Sequence, residues 1–393
     1  MTSDPIVIVS ARRTPIGAFQ GVLTDATAPE LGAAAISAAV ADARIDAADV
    51  DQVLMGCVLS AGLGQAPARQ AAIGAGVPAA TPATTVNKMC GSAMMTIMLG
   101  HDQIRTGSAS IVVAGGLESM SNAPYLLPKA RRGYRMGHQQ VLDHMLLDGL
   151  EDPWHGRAMG YYADATAAKY GFSREAQDAF ALESVRRAQA AVADGTFAAE
   201  ITPVTVHGRK GDTIVDTDET PGAVHIDRIP TLRPAFREDG TVTAATSSSI
   251  SDGAAALVLM SASEAERRGL SPLARIAGHT SAAQEPEWFT TAPVAATRSL
   301  LDLVGWQADD VDLYEINEAF AVVTMAAMHD IGLTHSRVNV NGGACAMGHP
   351  IGATGARIST TLLHALKARS LKRGIATLCI GGGEAVAIAV EMI

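Results

Sequence analysis

Two stretches at opposite ends of the chain, "ADVDQVLMG" (residues 48–56) and "DDVDLYEIN" (residues 309–317), share one figure: an acidic turn, a Val-Asp step and a short apolar run. Working outward from each, the order of elements repeats. Before and after the first lie the strand-like "PIVIVS", the helical "APELGAAAISAAVADA" and "APARQAAIGAG", and the strand-like "ATTVNK". A helix is expected from about Gly91, leading into the apolar run "ASIVVAGG". Around the second lie the helices "PVAATRSLLDLVG" and "EAFAVVTMAAM", the strand-like "RVNVN", a helix from Pro350 to about residue 370, and the strands "IATLCI" and "AVAIAVEMI". "VAGGLE" (residues 113–118) faces "CIGGGE" (residues 379–384) as a further local match. β-Branched runs buried on both faces and separated by helices indicate an α/β sheet, mixed or parallel. Agreement of element order with local sequence indicates duplication.

The first copy lacks its final strand until "DGAAALVLMS" at 252–261. Residues 119–250 then read as an insertion, giving three parts: residues 1–118 plus 251–270, the inserted 119–250, and 271–393. The insertion carries ten of the sixteen aromatic residues and the amphipathic helix "SREAQDAFALESVRRAQAAVADG". Inserts of this size commonly cover an active site or build an oligomer contact.

Bulk composition narrows the function. A chain of 393 residues exceeds one typical core, and 48% hydrophobic content with only 18% charge suits packed domains. The net charge of −10 argues against nucleic acid or an anionic membrane as main partner. No segment reaches the ~20 consecutive apolar residues of a membrane span, and the first ten residues do not read as a signal peptide. Cysteines at 57, 90, 345 and 379 form neither a disulfide framework nor a C-x-x-C zinc pattern, so no metal is expected. A reducing cytoplasm fits this usage.

Four residues at element ends could carry chemistry. Cys90, between a strand and a helix, would face unsatisfied N–H groups, and the helix dipole would lower its pKa. A buried core thiol is the ordinary alternative. His349 lies where a glycine-rich turn lets backbone approach a ligand; a structural histidine is its alternative. Cys379 ends a strand before Gly381, Gly382 and Gly383, whose N–H groups could hold an oxyanion. Asn317 ends a strand before a helix, where a simple N-cap is the plain reading. All four fall beyond carboxyl ends of strands, where open α/β sheets bind ligands.

"NKMCGSAM" (87–94), "SDGAAALVL" (251–259), "YEINEAFA" (314–321), "NGGACAMGHPIGATGAR" (341–357) and "CIGGGEA" (379–385) together resemble the thiolase family of acyl-CoA acyltransferases along nearly the whole chain. The resemblance implies the thiolase fold: two duplicated βαβαβαββ halves packed as a layered αβαβα structure, with a large inserted loop domain for CoA binding and oligomer contacts. It implies an acetyl-CoA C-acetyltransferase joining two acetyl-CoA to acetoacetyl-CoA. Cys90 would carry the acyl group, His349 take its proton and Cys379 act as the α-carbon base. Backbone N–H groups of Cys90 and Gly381 would form one oxyanion hole, and His349 with a water held by Asn317 the second. Ser248, Ala319, Phe320 and Met159 would line the CoA channel, with Arg228 a candidate for the nucleotide phosphates. Coenzyme A is then substrate and product, no cofactor is tightly bound, and a cytoplasmic dimer or tetramer is expected.

Departures from the family pattern bear on the acyl group. Ala158-Met159-Gly160 replaces His-Met-Gly, Thr246 and Ser251 stand for two asparagines, and Phe289 stands where methionine often lines the pocket. A degradative 3-ketoacyl-CoA thiolase of longer chain specificity is the runner-up. A non-catalytic lipid carrier would predict loss of Cys90, His349 or Cys379, and all three are present.

Overall fold

The structure, a computed structural model, describes residues 4–208 and 211–393. Nine strands carry the main sheet: β1 (Ile6–Arg13), β2 (Gln52–Gly56), β3 (Ala83–Val86), β4 (Ile111–Ser119), β5 (Ser251–Ser261), β6 (Ala274–Ala283), β7 (Leu313–Ile316), β8 (Arg373–Ile380) and β9 (Glu384–Met392). The two-residue strand Gly17–Ala18 adds to β5. Among the described residues, eight helices of eight residues or more pack around them: α1 (Ala28–Asp42), α2 (Pro67–Gly74), α3 (Ser92–Arg105), α4 (Met159–Tyr170), α5 (Arg174–Ala193), α6 (Ala292–Val304), α7 (Ala321–Ile331) and α8 (Thr354–Ala368).

Strand order is β7-β8-β9-β6-β1-β5-β4-β2-β3. Read outward from the β6–β1 contact, the two sides run in the same succession. β1 answers β6, β5 answers β9, β4 answers β8 and β2 answers β7. The contact itself is slight, Val7 opposite Arg275 and Ile8 opposite Ala274. β2 is parallel to β3 and β4, and β7 is parallel to β8; the remaining neighbours are antiparallel.

The two quoted stretches earn this symmetry chemically. Asp51 Oδ2 accepts the N–H groups of Ser110 and Ile111 at 2.8 and 3.0 Å, fixing the start of β4. Asp312 Oδ2 accepts those of Lys372 and Arg373 at 2.9 and 2.8 Å, fixing the start of β8. These bonds also set the true register of the repeat. Ile111 corresponds to Arg373, so Val113 answers Ile375 and Leu117 answers Cys379. The match of "VAGGLE" to "CIGGGE" is therefore four residues out of step.

Two further expectations change. "RVNVN" is not a strand: Val338 makes one bridge to Tyr314, and Asn339 takes φ +47°. The Asn339 side chain replaces a strand partner, accepting from Ile316 N–H at 2.9 Å and donating to Ile316 O at 2.8 Å. Conversely β6 is a full ten-residue strand, although its sequence is mostly small and polar.

Three apolar clusters show the layers. One lies between α1, α2 and the first half of the sheet. The second surrounds α3 and α8, which are sandwiched between both halves. The third lies between α6, α7 and the second half. This is the αβαβα stack. Each fully buried Leu or Ile in it contributes roughly 1.5–3 kcal/mol. α1 is fixed at its start by a capping box, Thr27 with Glu30, and by Pro29 in the first turn.

α4, α5 and the hairpin Val204–Gly208 with Gly211–Val215 lie in the segment between β4 and β5. Arg13, fully buried on β1, fastens that segment. Its guanidinium bonds Glu200 at 2.5 Å and Asp218 at 2.7 and 2.9 Å. Removing one partner of such a buried set costs about 3–5 kcal/mol.

Candidate active site

Cys90 sits in a tight turn between β3 and α3. Met89 before it takes φ +48°, a left-handed conformation that a side-chain-bearing residue keeps only when held. Ser92 Oγ holds it, accepting from Lys88 N–H at 2.8 Å and donating to Met89 O at 2.6 Å. Asn87 Oδ1 accepts the Met89 N–H at 3.0 Å.

Cys90 is half-buried against the cluster of Val58, Leu59, Met120, Met145 and Ile351. The backbone N–H groups of Gly381 and of Cys90 itself favour its thiolate. Burial nevertheless pushes the thiol up to about 11, and the Glu118 carboxylate adds in the same direction. The expected lowering at a helix start does not occur, because apolar surroundings outweigh two N–H dipoles.

His349 is buried, with its Nδ1 2.6 Å from Thr354 Oγ1. That hydroxyl donates its single proton to Pro350 O at 2.9 Å. It must therefore accept from the ring, which assigns the proton to Nδ1 and leaves Nε2 a bare lone pair. Asn317 Nδ2 approaches Nε2 at 3.4 Å. Burial, and then the positive charge of Arg357, bring the imidazole down to about 3, so it is neutral at pH 7. Residues 350–353 form a turn and α8 begins only at Thr354; Pro350 is not its first residue.

Asn317 is buried and does not cap α7, whose N-cap is Phe320. Its N–H donates to Thr377 O at 3.0 Å, and its Oδ1 has no protein partner. Cys379 is buried near the end of β8, in one apolar cluster with Tyr162, Phe289, Ala319, Phe320 and Met159. Burial and then the proximity of Cys90 hold its thiol well above the ordinary value. Gly382 and Gly383 turn the chain at φ +102° and +91°. A Cβ on Gly381 would lie 3.6 Å from Met159 Cε, so Met159 covers this glycine. Beside it a cleft of about 350 Å³ is lined by Trp154, Met159, Tyr162 and Gly382 among others.

Ser248 joins the same region. Its N–H and its Oγ both donate to Ala319 O at 3.0 Å, and Ser247 bridges Phe320. His349 N–H donates to Ser249 O at 3.1 Å. Arg228 is different: it is exposed on the turn Ile226–Thr231, and no side-chain hydrogen bond ties it to the other residues.

Sequence reasoning missed the carboxylates that brace the site. Glu118, fully buried on β4, accepts N–H groups of Val58 and Leu59 from the first half and of Gly352 from the second, at 3.0, 3.1 and 2.8 Å. Burial pushes its carboxyl up to about 7. Glu318 braces the other side, accepting from Ser184 Oγ, Asn339 Nδ2 and Cys345 N–H at 2.7, 2.8 and 3.1 Å. An acidic residue inside an apolar run was the available signal.

Comparison with known proteins follows the same lines. Residues 6–263 match the family model "Thiolase, N-terminal domain" and residues 270–392 match "Thiolase, C-terminal domain". The chain is 51% identical over 385 residues to an acetyl-CoA acetyltransferase of Pseudomonas aeruginosa, covering 98% of each. It is 51% identical over 387 residues to one of Escherichia coli, again covering 98% of each. Among solved structures, an acetyl-CoA acetyltransferase of Bacillus anthracis superposes with TM-score 0.97 at 40% identity, covering 100% of this chain and 99% of that one. A thiolase of Ascaris suum in complex with coenzyme A gives TM-score 0.94 at 40% identity, covering 99% and 100%.

Proposed function

This chain belongs to the thiolase family, and on that premise we propose that it is an acetyl-CoA C-acetyltransferase. It joins two acetyl-CoA into acetoacetyl-CoA and CoA, reversibly, through an acetyl group on Cys90. The observation that carries this reading is the meeting of three separated motifs at Cys90. The Gly381 N–H, two residues after Cys379, is near enough to the Cys90 sulfur to favour its thiolate, while Ile351, two residues after His349, packs in the cluster against Cys90.

In this reading both catalytic groups start uncharged. His349 Nε2 takes the Cys90 proton as the thiolate attacks the thioester carbonyl. The N–H groups of Cys90 and Gly381 hold the tetrahedral oxyanion. The C–S bond to CoA breaks, and Cys379 gives its proton to the departing CoA thiolate. The acetyl-enzyme then stands beside a Cys379 thiolate and a His349 imidazolium. A second acetyl-CoA loses an α-proton to Cys379, and its enolate oxygen is stabilised by His349 and by a water on Asn317. The carbanion attacks the acetyl carbonyl, Cys90 leaves as thiolate, and His349 returns the proton.

Ser248, Ala319, Phe320 and Met159 line the pantetheine path, with Arg228 at the nucleotide phosphates and CoA as substrate and product. The segment 119–250 covers the site and builds subunit contacts between the halves 1–118 plus 251–270 and 271–393. Its exposed Tyr125, Leu127, Met136, Val141 and Trp154 support a homo-oligomer, which we assign as a tetramer. No helix among the described residues is long and apolar enough to cross a membrane. A cytoplasmic role in fatty acid metabolism suits this chemistry. Radiolabelled acetyl-CoA tests the whole reading: wild type should be labelled at Cys90, and Cys90→Ser should lose nearly all turnover. Label at Cys57 or Cys345 instead would sink it.

A further inference from the structure

Away from this site, three side chains converge on one point. His101 and Asp102, in the second half of α3, meet His279 of β6. His101 Nδ1 lies 2.9 Å from Asp102 Oδ1, His279 Nε2 lies 3.1 Å from the same oxygen, and the two ring nitrogens are 3.2 Å apart. The rings stand edge to face at 84°. His101 is nearly buried at 9% exposure, and Asp102 is open to solvent. His101 lies eleven residues beyond Cys90, about 16 Å along a helix rise of 1.5 Å.

From this geometry we propose that His101, Asp102 and His279 form a binding site for a divalent transition-metal ion of the zinc class. Zn²⁺ binds imidazole nitrogen and carboxylate oxygen at about 2.0–2.2 Å in a tetrahedron, whose ligand atoms are then about 3.3 Å apart. The three distances here need open by only a few tenths of an ångström. An ion 2.05 Å from all three stands about 1 Å off their plane, leaving a fourth vertex for water. Two nitrogens and one oxygen suit Zn²⁺, Co²⁺ or Ni²⁺, whereas Ca²⁺ and Mg²⁺ require oxygen ligands in larger number. The cysteine spacing held no zinc pattern. This site is assembled from positions 101, 102 and 279, which only the fold brings together.

The site also has a mechanical meaning. α3 belongs to the first half and begins just after Cys90, while β6 opens the second half. A metal held between them clips the helix behind the nucleophile to the opposite half.

Chelator-treated full-length protein titrated with ZnCl₂ by calorimetry tests this. One equivalent per chain should bind in a Cys90→Ala background, which removes the accessible thiol as a competing ligand. Binding should weaken as pH falls, since protons compete for the imidazoles. His279→Ala and Asp102→Asn should each bind at least ~10-fold more weakly, as even the loss of supporting groups costs 10–100-fold at metal sites. Co²⁺ should develop visible absorption in the parent and not in His279→Ala. With Cys90 intact, Zn²⁺ should raise the wild-type Tm, and His279→Ala should keep the metal-free Tm and metal-free turnover while losing that rise. Absence of stoichiometric binding, or binding unchanged in both variants, would overturn the proposal.

Discussion

At the scale of single residues, the proposed chemistry rests on two uncharged partners. With Cys90 raised to about 11 and His349 lowered to about 3, the free enzyme at pH 7 holds a thiol and a neutral imidazole. Alkylation of Cys90 by iodoacetamide, followed on its peptide by mass spectrometry, should therefore rise about 10-fold per pH unit from pH 7 to 10. The thiolate is the reacting species and its fraction keeps growing below the pKa. A plateau near pH 7 would mean that the turn lowers the thiol after all. The two cysteines should also separate by half-reaction. In the proposed mechanism acylation uses Cys90, His349 and two N–H groups, so Cys379→Ala should still form acetyl-enzyme and exchange label between CoA and acetyl-CoA, slowly. Condensation and thiolysis need a base at the α-carbon, and both should fall by at least ~10²–10⁴-fold. Condensation at the wild-type rate, or exchange lost as fully as in Cys90→Ser, would reject this division. Cys90, His349 and Cys379 could be singled out in the sequence because they stand at element ends near glycines, and Asn317 because it ends a strand. Thr354 and Glu118 were not, since hydroxyls and carboxylates in apolar runs reveal their role only once their partners are placed.

At the scale of elements, the seam between the halves decides where His349 stands. Gly56 and Gly116 present no side chain to the turn before α8. A Cβ on Gly116 would lie 2.1 Å from Gly352 O and 2.8 Å from Ala353 Cα, both backbone atoms. Gly116→Ala must then push the His349 turn away from Glu118. It should lose roughly 1–3 kcal/mol of stability through overpacking, and about 10²-fold in kcat through a displacement near 1 Å. Gly222→Ala, at a glycine with nothing within 4 Å, is the control. Melting and initial-rate measurements on the pair check it; a Gly116→Ala enzyme with unchanged kcat would remove the seam from the mechanism. This also explains the slipped alignment of the repeat. "VAGGLE" and "CIGGGE" look alike because both are glycine-rich, yet Gly116 seats a turn while Gly382 and Gly383 make one. β6 escaped notice for a related reason: Gly278, His279 and Thr280 are half-exposed, Ser281 is exposed, and none of them gives an apolar alternation. "RVNVN" looked like a strand through its valines, whereas Asn339 satisfies Ile316 with a side chain instead.

At the scale of the whole molecule, the wall of the proposed acyl pocket comes from segments that the sequence keeps far apart. Met159 arrives with α4, Phe289 with the turn before α6, and Phe320 with the start of α7; Cys379 comes from β8. Phe320 meets Phe289 and Phe236 edge to face, with ring centres 6.4 and 5.8 Å apart. The duplication and the insertion were legible from element order, but no spacing could show these rings closing on one sulfur. Their closeness fixes the last expectation. Phe289 is 2% exposed and packed in the cluster that holds Cys379, so a long acyl chain must displace a well-packed ring. Acetoacetyl-CoA should be cleaved with higher kcat/KM than a C10 3-ketoacyl-CoA. One methylene changes pocket binding by only ~1–3 kcal/mol, so the preference should be graded through C6 and C8. Phe289→Leu keeps an apolar side chain and the fold while shortening the wall, and it should narrow the C4-to-C10 ratio chiefly by improving the longer substrate. Equal kcat/KM for C4 and C10 in the wild type would favour the degradative thiolase. A ratio unmoved by Phe289→Leu would mean that chain length is sensed elsewhere, with Met159 the next side chain to shorten.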